Sequence, residues 1–369
     1  MMPLTRTNIS PDAATRSAIP LPEPPLHPFR KGVAHPDLWL WDSWTLAEDD
    51  VWHLYCLALS RLDNDGHDIP PQDRNKHPFH IRHFLSRDGG QSWWDEGVYF
   101  KPEKTPDGFY NRNVWSGSVL KLKNGRYLTG FTAIRDVDAD HPFVQSIGLA
   151  TSEDNQSITH VQDRPLSCPV RDYEQITSLG YYLGPKEFLG HRDGEEGGPI
   201  LAWRDPYLYQ DSDGRIHAFW SAKVSPKEGA MAHATLAETE MGFVIERLYP
   251  PVRFPDSEKF TQAEVPKIYY NSTSGTYYCL LAACDRLYEG QPDSEVTKVT
   301  RLYKGPTLKG PWQAFNNKTS KLDGLENLFG CSIIKTDFDA GKVALVAPIT
   351  EMANNDIQLT FADIITLTI

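Results

Sequence analysis

From about residue 38 to the C-terminus, short runs rich in Val, Ile, Leu, Tyr, Phe and Trp are cut by segments rich in Asp, Asn, Gly and Pro. Runs of this length between turn residues read as β-strands. VWHLYCLAL (51–59) leads into a polar loop, and HIRHFLS (80–86) runs into RDGGQSW. Three longer stretches carry a turn between two β-like arms: SVLKLKNGRYLTGFTAI (118–134) at Asn124-Gly125, YLYQDSDGRIHAFWSA (207–222) at Asp213-Gly214, and KIYYNSTSGTYYCLLAA (267–283) at Ser274-Gly275. Each predicts a hairpin. GKVALVAPI (341–349) and IQLTFADIITLTI (357–369) close the chain. Stretches with the 3.6-residue period of a helix are nearly absent.

Hairpins recurring every few tens of residues predict an all-β protein, either a β-propeller or stacked sandwiches. A length of 369 residues allows two domains, but a propeller can use it as one. Residues 1–30, with Pro3, Pro11, Pro20, Pro22, Pro24, Pro25 and Pro28, predict an extended surface arm, and 31–369 a single domain. Ser86-Arg87-Asp88-Gly89-Gly90-Gln91-Ser92-Trp93 fits the S-x-D-x-G-x-[ST]-W turn called an Asp box, found in sialidase-like propellers. In it, Asp88 is expected to bond the turn's own backbone while Trp93 packs into a blade.

Composition narrows the functions. A formal net charge of −12 disfavours a nucleic-acid partner. Cys56, Cys168, Cys279, Cys284 and Cys331 are scattered and odd in number, so they read as free thiols, not a disulfide framework or zinc site. No run is long enough to predict a membrane span, and Met1–Pro25 lacks the apolar core of a secretory signal. The compartment stays open between the cytoplasm and export by another route.

Three acidic residues stand in unusual surroundings. Asp42 lies in LWLWDSW among Trp39, Trp41 and Trp44; Asp205 lies in AWRDPYLY between Arg204 and Pro206; Glu264 lies in AEVPKIYY at the head of a β run. A carboxylate amid tryptophans loses hydration, which is costly unless the group is paired or used. Paired carboxylates among aromatic rings suit glycoside cleavage, where one attacks the anomeric carbon and the other protonates the leaving oxygen. The inner strand of each propeller blade can deliver one such residue to a central funnel.

WDSW (41–44), WSGS (115–118) and RDP (204–206) together resemble glycoside hydrolase family 68, the levansucrases, inulosucrases and related β-fructofuranosidases, itself related to the family 32 invertases. The resemblance runs from about residue 35 to 290. It implies a five-bladed β-propeller with a central funnel-shaped pocket, a sugar partner such as sucrose or another fructoside, and no cofactor. It further implies Asp42 as nucleophile, Asp205 as transition-state stabiliser and Glu264 as acid/base. Trp41 and Trp115 would line the fructosyl subsite, Ser116 would orient the nucleophile, and Arg204 would bind sugar hydroxyls. Ser116 and nearby donors would then hold the Asp42 carboxyl low, keeping it ionised. Arg286 in CDRLYEG matches the arginine of the adjacent glucosyl or acceptor subsite.

The chain also departs from that family's pattern. Val265 replaces the arginine that commonly follows the acid/base, Gln262 replaces an acidic residue two before it, and the calcium-site residues of some members are not recognisable. The fructosyl subsite is therefore expected intact and the leaving-group and acceptor subsites altered, which leans toward hydrolysis over transfer. No metal site is assigned: His77, His80 and His83 lack a shared strand face. GEEGG (194–198) reads as a surface loop. A propeller that binds carbohydrate without cleaving it is the alternative of another class. A sialidase would need an arginine triad and a tyrosine nucleophile that cannot be identified.

Overall fold

A computed structural model describes residues 19–105, 108–191, 199–288, 291–316, 318–351 and 357–369. Five antiparallel sheets form the blades of a propeller. The first comprises β2 (Leu38–Glu48), β3 (Val51–Ser60), β4 (His80–Ser86) and β5 (Ser92–Phe100), with β1 (Phe29–Arg30) paired to its outer edge. The second is β6 (Asn113–Lys121), β7 (Tyr127–Arg135), β8 (Val144–Ser152) and β9 (His160–Val161). The third is β10 (Arg204–Gln210), β11 (Ile216–Ser225), β12 (Glu228–Thr239) and β13 (Gly242–Leu248). The fourth is β14 (Gln262–Asn271), β15 (Thr276–Cys284), β16 (Lys298–Gly305) and β17 (Gln313–Ala314). The fifth is β18 (Ser332–Asp337), β19 (Lys342–Val346) and β22 (Ile365–Thr368), beside a two-stranded ribbon of β20 (Pro348–Glu351) and β21 (Ile357–Phe361).

The hairpins predicted at Asn124-Gly125, Asp213-Gly214 and Ser274-Gly275 join the first two strands of blades 2, 3 and 4. The turn 86–93 is also as expected. Asp88 accepts the Ser92 N–H at 2.9 Å and the Ser92 hydroxyl at 2.6 Å, and Trp93 is buried.

Apolar side chains gather at the seams between blades, because a sheet buried on both faces must pack against a neighbour on each side. One cluster fills each seam. Trp41, Tyr55 and Leu57 meet Val114 and Phe131; Leu128 and Leu149 meet Trp203 and Trp220; Phe219 and Met231 meet Ile268 and Leu281. Leu280 and Leu302 meet Ile333 and Leu345, and Leu54 and Phe84 meet Ile334 and Val346. Paired hydrogen bonds between Val33 and Phe361, at 3.1 and 3.0 Å, tie the N-terminal segment to blade 5.

Two details differ from the sequence reading. A helix, α1 (Pro169–Ser178), connects blades 2 and 3. Pro169 opens it, the Asp172 carboxylate accepts the Cys168 N–H at 2.9 Å, and Pro169 and Ile176 are buried. Ten residues are too few to display a helical period. His77 does not extend the strand holding His80 and His83; it ends a 3-10 turn at Pro71–Lys76. The five cysteines are free, and among the described residues no helix is long and apolar enough to cross a membrane. Residues 1–18 of the N-terminal arm and the GEEGG segment lie outside the described residues.

Candidate active site

The inner strands β2, β6, β10, β14 and β18 each break register with their neighbour: at Trp41/Ser43, Trp115/Gly117, Arg204/Tyr207, Glu264/Lys267 and Ile333/Lys335. Bulges of this kind re-aim side chains. Asp42 (φ +33°), Asp205 (φ +61°) and Val265 (φ +42°) take left-handed backbone there. Pro206 follows Asp205 and Pro266 follows Val265, at positions where a missing N–H is tolerated.

These bulges turn the three acidic residues toward one cavity of about 310 Å³, lined by Asp42, Asp205 and Glu264 together with Trp41, Trp115, Ser116, Arg204 and Arg286. All eight side chains singled out from the sequence therefore share one pocket. An arc of rings forms its aromatic wall. Trp41 meets Phe79 edge-on at 4.7 Å, Phe79 stacks on Trp115 at 6.1 Å, and Trp115 meets Phe143 edge-on at 5.2 Å. Such a wall offers an apolar face to the C–H side of a sugar.

Each motif divides its work between the pocket and the joints of the ring. In WSGS, Trp115 is wall and the Ser116 hydroxyl donates to the Asp42 carboxylate at 2.6 Å. Gly117 lies so close to blade 2's next strand that a Cβ would stand 1.9 Å from the Gly130 carbonyl oxygen. The Ser118 hydroxyl accepts the Leu208 N–H and donates to the Pro206 carbonyl, both at 2.9 Å, joining blade 2 to blade 3. In WDSW, the Ser43 hydroxyl donates to the Gly330 carbonyl at 3.0 Å, Ser332 donates to the Ser43 carbonyl at 2.7 Å, and Trp44 is core. Gly330 (φ +78°) is held bare by Asp42, since a Cβ there would lie 2.8 Å from its Oδ1.

Asp205 is fixed from two blades. Its N–H donates to the Thr132 hydroxyl at 2.7 Å, which in turn donates to the Ser116 carbonyl at 3.0 Å. Its carboxylate accepts the Val265 N–H at 3.1 Å. Arg204 is buried and directs Nη2 to Glu264 at 3.0 Å and to Gln262 at 3.1 Å, with Nη1 on the Leu201 carbonyl at 2.6 Å. It therefore positions Glu264, beyond the sugar contact anticipated for it. Gln262, the neutral replacement, is the buried amide that accepts from this guanidinium.

The electrostatics correct one expectation. Burial, aided by the charge of Glu264, raises the Asp42 carboxyl above the usual aspartate range, and Ser116, Lys267 and Arg74 offset this only in part. Asp205 is pushed up to about 7 by burial first, with Arg204 opposing and Asp42 and Glu264 adding.

Other pocket residues carry no local sequence signature. Gln72, Arg74 and Asn75 come from the turn after β3, with the Arg74 guanidinium 5.8 Å over the Trp41 ring. Phe143, Gln145, Lys298, Phe329, Ile357 and Leu359 complete the wall. Among the described residues, His77, His80 and His83 are not brought together with metal-ligand spacing. His80 and His83 lie on opposite faces of β4, and the three-residue cluster with metal-ligand spacing among the described residues is the surface group Asp63, Asp65 and His67.

No protein-family model matches the sequence, and no curated protein matches it. In three dimensions the chain resembles inulosucrase from Halalkalicoccus jeotgali bound to kestose, at TM-score 0.65 and 16% identity over 96% of this chain and 89% of that one. It resembles Bacillus subtilis levansucrase at TM-score 0.60 and 15% identity, over 92% and 86% of the two chains. A thermostable family-43 glycoside hydrolase matches at TM-score 0.56 and 14% identity, over 92% and 93%. At these identities the likeness is one of fold: the chain has the five-bladed propeller that these enzymes share.

Proposed function

We propose that this chain is a retaining β-fructoside-cleaving enzyme of the family 68 type, acting on sucrose or fructo-oligosaccharides through a fructosyl-enzyme intermediate. The observation that carries the reading is the convergence of Asp42, Asp205 and Glu264, from blades 1, 3 and 4, on one aromatic-walled cavity. Its volume of about 310 Å³ is at the lower end for small-ligand pockets.

Asp42, aligned by Ser116, attacks the anomeric carbon while Glu264 gives its proton to the departing glycosidic oxygen. The carbon–oxygen bond breaks and the fructosyl group rests on Asp42. Glu264, now a base held by Arg204, takes a proton from the incoming hydroxyl, which releases the sugar with its starting configuration. Asp205 bonds fructosyl hydroxyls most strongly when charge develops on the ring. Water and a sugar hydroxyl compete for the intermediate. The altered acceptor side, with Val265 and Gln262, favours water, so hydrolysis is expected to outweigh transfer. The resemblance of the scaffold to inulosucrase and levansucrase supports the sugar class.

Asp42→Ala and Glu264→Ala are each expected to lower kcat on sucrose at least ~10³-fold, with release of glucose and fructose in near-equal amounts by the unaltered protein. Wild-type turnover in either variant would overturn the residue assignment, and a large excess of free glucose would favour transfer.

A further inference from the structure

Lys267 lies on β14 just past the bulge that follows Glu264, and it is 2% exposed. A lysine is almost never this buried without a partner. Its Nζ donates to the Val265 carbonyl at 3.1 Å. Val265 is a β-branched residue at φ +42°, a conformation such residues rarely adopt. Its N–H is taken by Asp205 at 3.1 Å, so this one residue is gripped at both ends. Glu264 is its neighbour in sequence.

The charge pattern points the same way. Arg204 serves Glu264 at 3.0 Å and reaches Asp205 at 3.8 Å. The groups acting on the Lys267 ammonium from surrounding elements are Asp42 on β2, Asp205 on β10, Cys279 on β15 and Cys331 just ahead of β18. Burial pushes both thiols up, Cys331 to about 11, which leaves the carboxylates as the anionic partners. Burial lowers Lys267 to about 8, with Asp42 the foremost group favouring its charged form.

We propose that Lys267 is a positioning residue: held on the Val265 carbonyl, its ammonium is the buried counter-cation of Asp42 and Asp205 and fixes the bulge that carries Glu264 into the pocket. The inference rests on the reading of this pocket as catalytic, but its first test needs no turnover. Thermal unfolding at pH 7 is compared for the unaltered protein, K267M, D42N and K267M/D42N. K267M removes the buried cation shared by Asp42 and Asp205, leaving only Arg74 and Arg204 to oppose their burial, and is expected to lose ~5 °C or more in Tm. Adding D42N should recover at least about half of that loss, because the two sites are coupled. If K267M alone does not fold, folding restored in the double variant is the same result. Strictly additive shifts, or no rescue, would overturn the pairing.

The second readout is the pH profile of kcat/KM on sucrose. K267Q keeps a donor for the Val265 carbonyl but loses the charge. Without the cation the carboxylate form is less favoured, so the acidic limb should move to higher pH by about one unit in both K267Q and K267M. An unmoved limb in K267Q would reduce Lys267 to a structural pin and overturn the counter-cation role. Absence of fructoside cleavage by the unaltered protein would sink the proposed function, while the unfolding cycle would still decide on Lys267.

Discussion

Asp205 shows how a buried carboxylate trades stability for a site. Its folded value of about 7 lies well above the 3.8 of an exposed aspartate. Between those values the folded chain binds the proton and the unfolded chain does not, so stability falls as pH rises toward 7 and the penalty persists above it. Its scale is on the order of 4 kcal/mol. Asp205→Asn should therefore unfold at a higher temperature than the unaltered protein at pH 8, with the gap closing toward pH 4. Thermal melts across that range check it; a variant less stable at pH 8 would show that the carboxylate's bonds outweigh its desolvation. The chemical identity of the site residues was legible because Asp42 and Asp205 sit in tryptophan-rich and Arg-Pro settings that a surface loop has no use for. Their electrostatic state was not. Ser116 was expected to set the Asp42 carboxyl low, but burial, a property of the assembled ring, outweighs one hydroxyl.

Among the elements, the strands and their turns could be read from short apolar runs and from the Asn-Gly, Asp-Gly and Ser-Gly pairs between them, whereas the bulges could not. Left-handed backbone at Asp42, Asp205 and Val265 has no glycine to announce it, since the neighbouring blades impose it through Ser116, Thr132 and Asp205. A repeated device was likewise invisible. On β3 and β4, His53 bonds His83 at 2.9 Å and His83 stacks on Tyr55; on β11 and β12, His217 bonds His233 at 3.0 Å and His233 stacks on Phe219. Each pair spans equivalent strands of its blade, with an acid beyond it, Glu48 at 3.8 Å or Asp211 at 3.1 Å. Burial lowers His83 and His233 to about 3, below the 6.5 of an exposed histidine. In that window the unfolded chain holds the extra protons, so stability is lost as pH falls from about 6.5 toward 3. The double variant His83→Gln/His233→Gln should show a smaller drop in Tm between pH 7 and pH 4.5 than the unaltered protein. An equal drop would place the acid sensitivity elsewhere.

At the scale of the whole molecule, two of the motifs do two jobs. Ser43 and Ser118 join blades while Asp42 and Ser116 of the same motifs face the cavity, so losing either motif would loosen the ring as well as empty the site. Five blades were suggested only through the family resemblance that three short motifs carry, because the internal sequence repeat is weak. The pocket wall from the 71–76 turn and from blade 5 was out of reach, because those residues meet the site only when the ring closes. A fructosyl group carried by Asp42 is detectable by mass spectrometry of a trapped adduct. β-D-Fructofuranosyl fluoride needs no acid to leave, so Glu264→Gln should load quickly and, lacking the base, unload slowly. One anhydrohexose is expected on the peptide containing Asp42. A steady release of fluoride with no adduct, or an adduct on a different residue, would contradict it.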